Sequence, residues 1–261
     1  MMQENNFKLH LNTTALEKTF PDGASAFKLG PIDLDLEGGT CLAVSGPNGS
    51  GKSTLFQIMT GNMAPSSGTV TLSGHPIAES RKSCGYLPQH NLLPMWATPD
   101  ELCRYSAGML APEEHAHNAA GNALAYWDCQ DFAQRPIGML STGMRKRVGL
   151  AIATLHDPDV LILDEPFEAL DLGHIAALRQ EIQRRKAAGG ITIFATHIAS
   201  FAAELANSSF FLHNGHGSTI SWPESKTTRE EILERKFAEV APPPSAFLHA
   251  RRARNARQVT K

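Results

Sequence analysis

The stretch that decides the fold runs from residue 41 to residue 59. It reads Cys41-Leu42-Ala43-Val44-Ser45, then Gly46-Pro47-Asn48-Gly49-Ser50-Gly51-Lys52-Ser53-Thr54, then Leu55-Phe56-Gln57-Ile58-Met59. The first five residues are a short, nearly continuous apolar run, the mark of a buried strand. From Lys52 to about Met59 a helix should follow. The loop between carries Gly46, Gly49 and Gly51. A phosphate group is a dense anion, best held by several inward-pointing backbone N–H groups, and only a chain free of side-chain bulk folds into that cradle. The following helix presents its N-terminus to the same charge. In this pattern Lys52 should reach the β- and γ-phosphates, and the Ser53 hydroxyl should bind Mg2+.

Outward from this loop the chain alternates strands and helices. Upstream, Phe7 to Leu11 and Ala26 to Leu36 are strand-like. Downstream, Gly68 to Leu72 and Cys84 to Leu87 are further strand candidates, and Val160 to Leu163 and Ile191 to Ala195 are two more buried strands. From His90 to Leu140 the character changes. Glu101 to Leu110 and Glu113 to Tyr126 read as helices broken by Ala111-Pro112, a helical insert. Ser141 opens a helix to about Leu155, stopped by His156-Asp157-Pro158. Ile175, Leu178 and Ile182 mark one face of a helix after Asp171, which Gly189-Gly190 ends. A charged helix is expected over Thr228 to Glu239, then a break at Pro242-Pro243-Pro244. Strands alternating with helices imply an α/β fold with a mostly parallel sheet covered on both faces.

The strand Val160 to Leu163 runs into Asp164 and Glu165. Acids at the end of an apolar strand are expensive unless they have partners. Behind a phosphate loop, Asp164 is placed to hold the Mg2+ shell and Glu165 to polarise an attacking water; in isolation the pair could also be simply a strand meeting a polar loop.

Composition narrows the classes. The chain has 261 residues, 42% apolar and 19% charged, with a net charge of −2 that gives no bias toward nucleic acid or membrane. Arg251, Arg252, Arg254, Arg257 and Lys261 form a basic end, read as a disordered solubilising tail. Cys41, Cys84, Cys103 and Cys129 show no C-x-x-C pairing, which favours free thiols over a disulfide frame or zinc site. The start has no apolar signal core, and no run approaches the roughly 18 apolar residues of a membrane span. His115-x-His117 and His213-x-x-His216 have no clear third ligand and read as solvated or turn residues.

An ordered series of residues resembles the nucleotide-binding subunits of ABC transporters over about residues 7 to 221. Gln89 in Tyr86-Leu87-Pro88-Gln89 is similar to the family's Q-loop glutamine. Leu140-Ser141-Thr142-Gly143-Met144 is similar to its signature sequence, Asp171 to its D-loop and His197 in Ala195-Thr196-His197 to its switch histidine. Phe20 sits where the family has an aromatic that stacks on adenine. The resemblance implies a phosphate-loop NTPase core with an N-terminal antiparallel β subdomain and an inserted α-helical subdomain. The implied ATP-binding domain spans residues 1–225, with the insert at about 90–140, followed by a C-terminal helix and tail over 226–261.

It further implies ATP and Mg2+ as cofactors. Glu165, His197, Gln89 and Lys52 would serve catalysis, and Ser53, Gln89 and Asp164 the metal. The loop residues, with Ser141, Thr142, Gly143, Asp171 and Phe20, would hold nucleotide. Ser141 and Gly143 would act on ATP bound to another copy, so the implied assembly is a head-to-tail homodimer with two sandwiched ATP molecules. A separate membrane permease would hold the chain at the cytoplasmic face of the inner membrane. Thr142, Met144 and Glu168 depart from the commonest family pattern. The signature followed by Arg145-Lys146-Arg147 resembles the ABC-2-type exporter branch. The alternative is a soluble ABC-type ATPase acting on nucleic acid or ribosomes. The short stretch between Lys52 and Asp164 excludes the long coiled-coil layout of chromosome-associated members, so no nucleic-acid partner is expected.

Overall fold

A computed structural model describes residues 9–20, 27–90, 92–110 and 113–240. The expected tail, the Pro242–Pro244 break, the beginning of the Phe7 strand and the His115 and His117 side chains lie outside the described residues.

Two sheets enclose one helix. The smaller sheet is antiparallel. It holds β1 (His10–Thr19), β2 (Lys28–Glu37), β4 (Ser67–Leu72) and the short β5 (His75–Pro76), in the order β2-β1-β4-β5. The larger holds β3 (Cys41–Ser45), β6 (Cys84–Leu87), β7 (Val160–Asp164), β8 (Ile191–Ala195), β9 (Ser208–His213) and β10 (His216–Ile220). Its order is β10-β9-β3-β8-β7-β6. All neighbours run parallel except β9 and β10.

The two-residue period of a strand sorts side chains between two cores. Leu42, Val44, Ile162 and Ile193 face the smaller sheet, and between the sheets lies α1 (Lys52–Met59). Leu55, Phe56, Ile58 and Met59 of α1 are 0% exposed, each worth about 1.5–3 kcal/mol of apolar burial. Cys41, Ala43, Leu161, Leu163 and Phe194 face the other way, onto a helical layer. That layer comprises α2 (Pro99–Leu110), α3 (Glu113–Tyr126), α4 (Thr142–Thr154), α5 (Leu172–Ala187), α6 (Ala199–Leu205) and α7 (Lys226–Val240). Burial on both faces explains why β3, β7 and β8 are buried at every position and mostly apolar rather than alternating.

The mostly parallel sheet and the helices of the insert are as the pattern predicts. The hairpin β9–β10 and the short α6 were not read from the sequence. Asn214 and Gly215 both have positive φ, 48° and 78°, so Asn-Gly makes the two-residue turn that suits the twist of a hairpin. His213 and His216 pair across that turn, the turn role expected of them. All four cysteines are free thiols and buried. Among the described residues no helix is long and apolar enough to cross a membrane.

Candidate functional site

Four parallel strands, side by side in the order β3-β8-β7-β6, deliver chemistry at their carboxyl ends. Gly46 follows β3, His197 lies two residues past β8, Asp164 ends β7 and Gln89 lies two past β6. Crevices outside the carboxyl ends of such strands are where open α/β sheets bind ligands.

At the end of β3 the loop needs its first glycine. Gly46 has φ 154°, and a Cβ there would lie 2.0 Å from the Leu212 carbonyl oxygen. The loop leads into α1, whose N-cap Gly51 makes no side-chain cap, so the first-turn N–H groups stay available to an anion. Lys52 is 7% exposed, and its Nζ donates to the Gly46 and Pro47 carbonyls at 2.8 and 3.2 Å. Burial lowers its pKa, opposed by Glu165 and Asp164. A cleft of about 570 Å3 opens over Asn48, Gly49, Gly51, Lys52, Ser53 and Thr54, walled also by Phe27, Gln89 and His90.

Ser53 Oγ donates to Asp164 Oδ2 at 2.5 Å, and Asp164 Oδ1 is buried with no hydrogen-bond partner. Gln89 shares a cleft of about 400 Å3 with Ser53 and Asp164. A hydroxyl, a carboxylate with a spare oxygen and an amide form a hard oxygen set that fits Mg2+. Glu165 is 3% exposed, and its Oε2 lies 3.1 Å from His197 Nδ1. Its pKa is raised, first by burial and then by Glu168, against the pull of His197 and Lys52. Asp164 is likewise raised by burial. Glu165 has φ 47° and Ala169 φ 62°; left-handed backbone in non-glycine residues costs about 1–3 kcal/mol each and is characteristic of functional turns. Glu168, Glu165 and His197 bring donor atoms within 4.8 Å of one another.

Ser141, Thr142, Gly143 and Asp171 stand apart from this cluster. Ser141 caps α4, accepting from the Met144 N–H at 3.2 Å. Asp171 caps α5, accepting from the His174 N–H at 2.9 Å and meeting its Nδ1 at 2.7 Å. Gly143 lies against the loop before α5, where a Cβ would come 2.6 Å from the Ala169 carbonyl oxygen. Ser141, Gly143, Ala169, Leu170, Asp171 and His174 share a cleft that has no residue in common with those at the phosphate loop.

Phe20 directly follows β1 and packs on Phe27, ring centroids 6.4 Å apart. Phe27 itself lines the cleft at the loop, a contact that sequence reasoning missed. It also missed Lys146 and His174. For His174 there was a signal, since a residue three past a capping aspartate meets its side chain.

A protein-family model described as "ABC transporter" matches residues 29–168. The chain is 36% identical over 187 residues to YxlF, an uncharacterized ABC transporter ATP-binding protein of Bacillus subtilis, a match covering 70% of this chain and 60% of YxlF. It is 36% identical over 206 residues to the cobalt import ATP-binding protein CbiO of Rhodobacter capsulatus, covering 76% of this chain and 73% of that protein. Proteins named for import and for export both occur among the relatives. A solved structure of an ATP-binding subunit of an ABC transporter superposes with TM-score 0.74 at 25% identity, over 86% of this chain and 99% of that one. With its phosphate loop, its sheet order and these relatives, the chain belongs to the ABC transporter family, within the part of it that binds ATP.

Proposed function

We propose that the chain is the ATP-hydrolysing motor subunit of an ABC transporter, working as a head-to-tail pair and docked on a separate membrane permease. The observation that carries this reading is the meeting of Lys52, Ser53, Gln89, Asp164, Glu165 and His197 at the ends of four adjacent strands. Phosphates fill the cradle of the loop, and Lys52 leaves the loop carbonyls for the γ-phosphate. Ser53, Gln89 and Asp164 would hold Mg2+, which when bound supplies positive charge to the phosphate oxygens. Glu165 takes the proton of the attacking water, and His197 holds the carboxylate in place and donates to the γ-phosphate. Phe20 and Phe27 form an aromatic wall for the adenine.

The separation of the Ser141 cleft from the loop cleft supports a site shared between two copies. Ser141, Thr142, Asp171 and the 86%-exposed Leu172 have no cover among the described residues. The free N–H groups at the start of α4 suit the γ-phosphate of the partner's ATP. The experiment is a mixing assay. Lys52→Ala and Ser141→Arg chains should each be inactive alone. A mixture should regain activity, at most about a quarter of the wild-type rate, because about half the pairs hold one intact composite site. A mixture that stays inactive while each variant still folds overturns the head-to-tail reading.

Permease docking rests on an exposed apolar patch. The Ile137 and Gly138 N–H groups bond the Ala97 and Met95 carbonyls at 2.9 Å, which draws Met95, Trp96 and Met139 together, 54%, 81% and 68% exposed. Patches of this kind mark partner surfaces, and this one adjoins Gln89 through Leu92 and Leu93. Trp96→Glu is expected to abolish co-purification with the membrane protein encoded beside the chain, with hydrolysis by the isolated chain unchanged. An intact complex would show that the patch is not the dock. Export is the direction favoured by Leu140–Met144 and the basic residues after it. Residence at the cytoplasmic face of the inner membrane follows from the permease.

A further inference from the structure

Glu165 is held at two ends. Its side chain meets His197, and its carbonyl oxygen accepts two hydrogen bonds. The Glu168 N–H closes a turn onto that carbonyl at 3.4 Å, and the Lys146 ammonium donates to it at 3.0 Å. Lys146 stands five residues past the cap of α4, is 5% exposed, and faces the carboxylates of Glu168, Asp164 and Glu165. A buried ammonium is costly unless it is both hydrogen-bonded and balanced by charge; here one carbonyl and three acids do both. The first two turns of α4 therefore touch the loop from Glu165 to Asp171 twice, at Lys146 and where Gly143 abuts Ala169. Beyond Lys146 the helix is anchored by buried Val148, Leu150 and Ala151, so its start and its lysine move as one body.

We infer that Lys146 is a positioning residue that ties the signature end of α4 to the main chain of the catalytic glutamate in its own chain, so that closure on the partner's ATP sets Glu165 over this chain's ATP. This rests on the paired-ATPase reading above. The physical consequence is a link between two nucleotides that do not touch. Ser141 meets one, Glu165 acts on the other, and a single hydrogen bond from one helix joins them. Without the donor, the left-handed turn at Glu165 loses a restraint and the carboxylate drifts, while Lys52 and the loop still hold nucleotide.

Lys146→Met keeps the stem and removes the donor; Lys146→Arg keeps a donor. In Lys146→Met, kcat is expected to fall about 10- to 100-fold, the cost of a misplaced catalytic group. ATP affinity should stay within about twofold, and the Hill coefficient should drop from above one to about one as the sites uncouple. Lys146→Arg should recover most of the rate. A normal rate and normal cooperativity in Lys146→Met overturn the inference, and so does an equal loss in both variants or a matching loss of ATP affinity. A wild-type chain without ATPase activity sinks the functional reading itself, and the inference with it. A normal wild type beside an unaffected Lys146→Met sinks the inference alone.

Discussion

Glu165→Gln is expected to bind ATP at least as tightly as the wild type, to hydrolyse it about 100- to 10,000-fold more slowly, the usual worth of a positioned general base, and to accumulate as a nucleotide-bound dimer. The amide matches the carboxyl in shape, so the turn held by Lys146 and the contact with His197 survive. What is lost is the ability to take a proton. Burial has already raised the pKa of Glu165, which makes it a stronger base than an exposed glutamate once deprotonated. Removing its charge also removes a repulsion with the γ-phosphate, which is why binding should not weaken. Single-turnover hydrolysis and light scattering in MgATP decide the matter. Hydrolysis at the normal rate would reassign the base, with Glu168 the next carboxylate to test because its donor atoms lie within 4.8 Å of those of Glu165 and His197.

Lys52→Ala is expected to lose about 100-fold or more in ATP affinity, taking charge-assisted hydrogen bonds at about 1.5–3 kcal/mol each. The side chain is 7% exposed and braces the loop through the Gly46 and Pro47 carbonyls. Truncation therefore removes the cation that meets the phosphates and also a strut of the cradle. Titration calorimetry with a non-hydrolysable ATP analogue measures the loss. Affinity within threefold of the wild type would mean that the backbone N–H groups alone hold the phosphates.

Much of the fold was legible because its signals are local. Cys41–Ser45, Val160–Asp164 and Ile191–Ala195 are nearly continuous apolar stretches of five residues, beside glycine or ending in acid, and each is a central strand. The caps at Ser141 and Asp171 are side-chain-to-backbone contacts three residues long. The hairpin at Asn214-Gly215 was equally local, yet Ser208–His213 lacks clean alternation because β9 sits beside β3 and is buried on both faces. Only its turn dipeptide distinguished it.

By itself the sequence determined the phosphate loop, the strands that carry acids and histidine, and the order of both along the chain, since these depend on residues within a few positions of one another. The tertiary structure alone decided which of them meet. Ser53 and Asp164 are 111 residues apart and share a hydrogen bond because β3, β8 and β7 lie side by side. Glu165 and Lys146 meet because α4 packs against the sheet at the turn after β7. Phe27, rather than the Phe20 that the sequence singled out, faces the loop cleft because β2 enters beside α1. Parallel pairing joins strands that are distant in sequence, and no periodicity records which helix end will face which strand end. The order of residues therefore named the parts of the site, and the packing of sheet on helix assembled them.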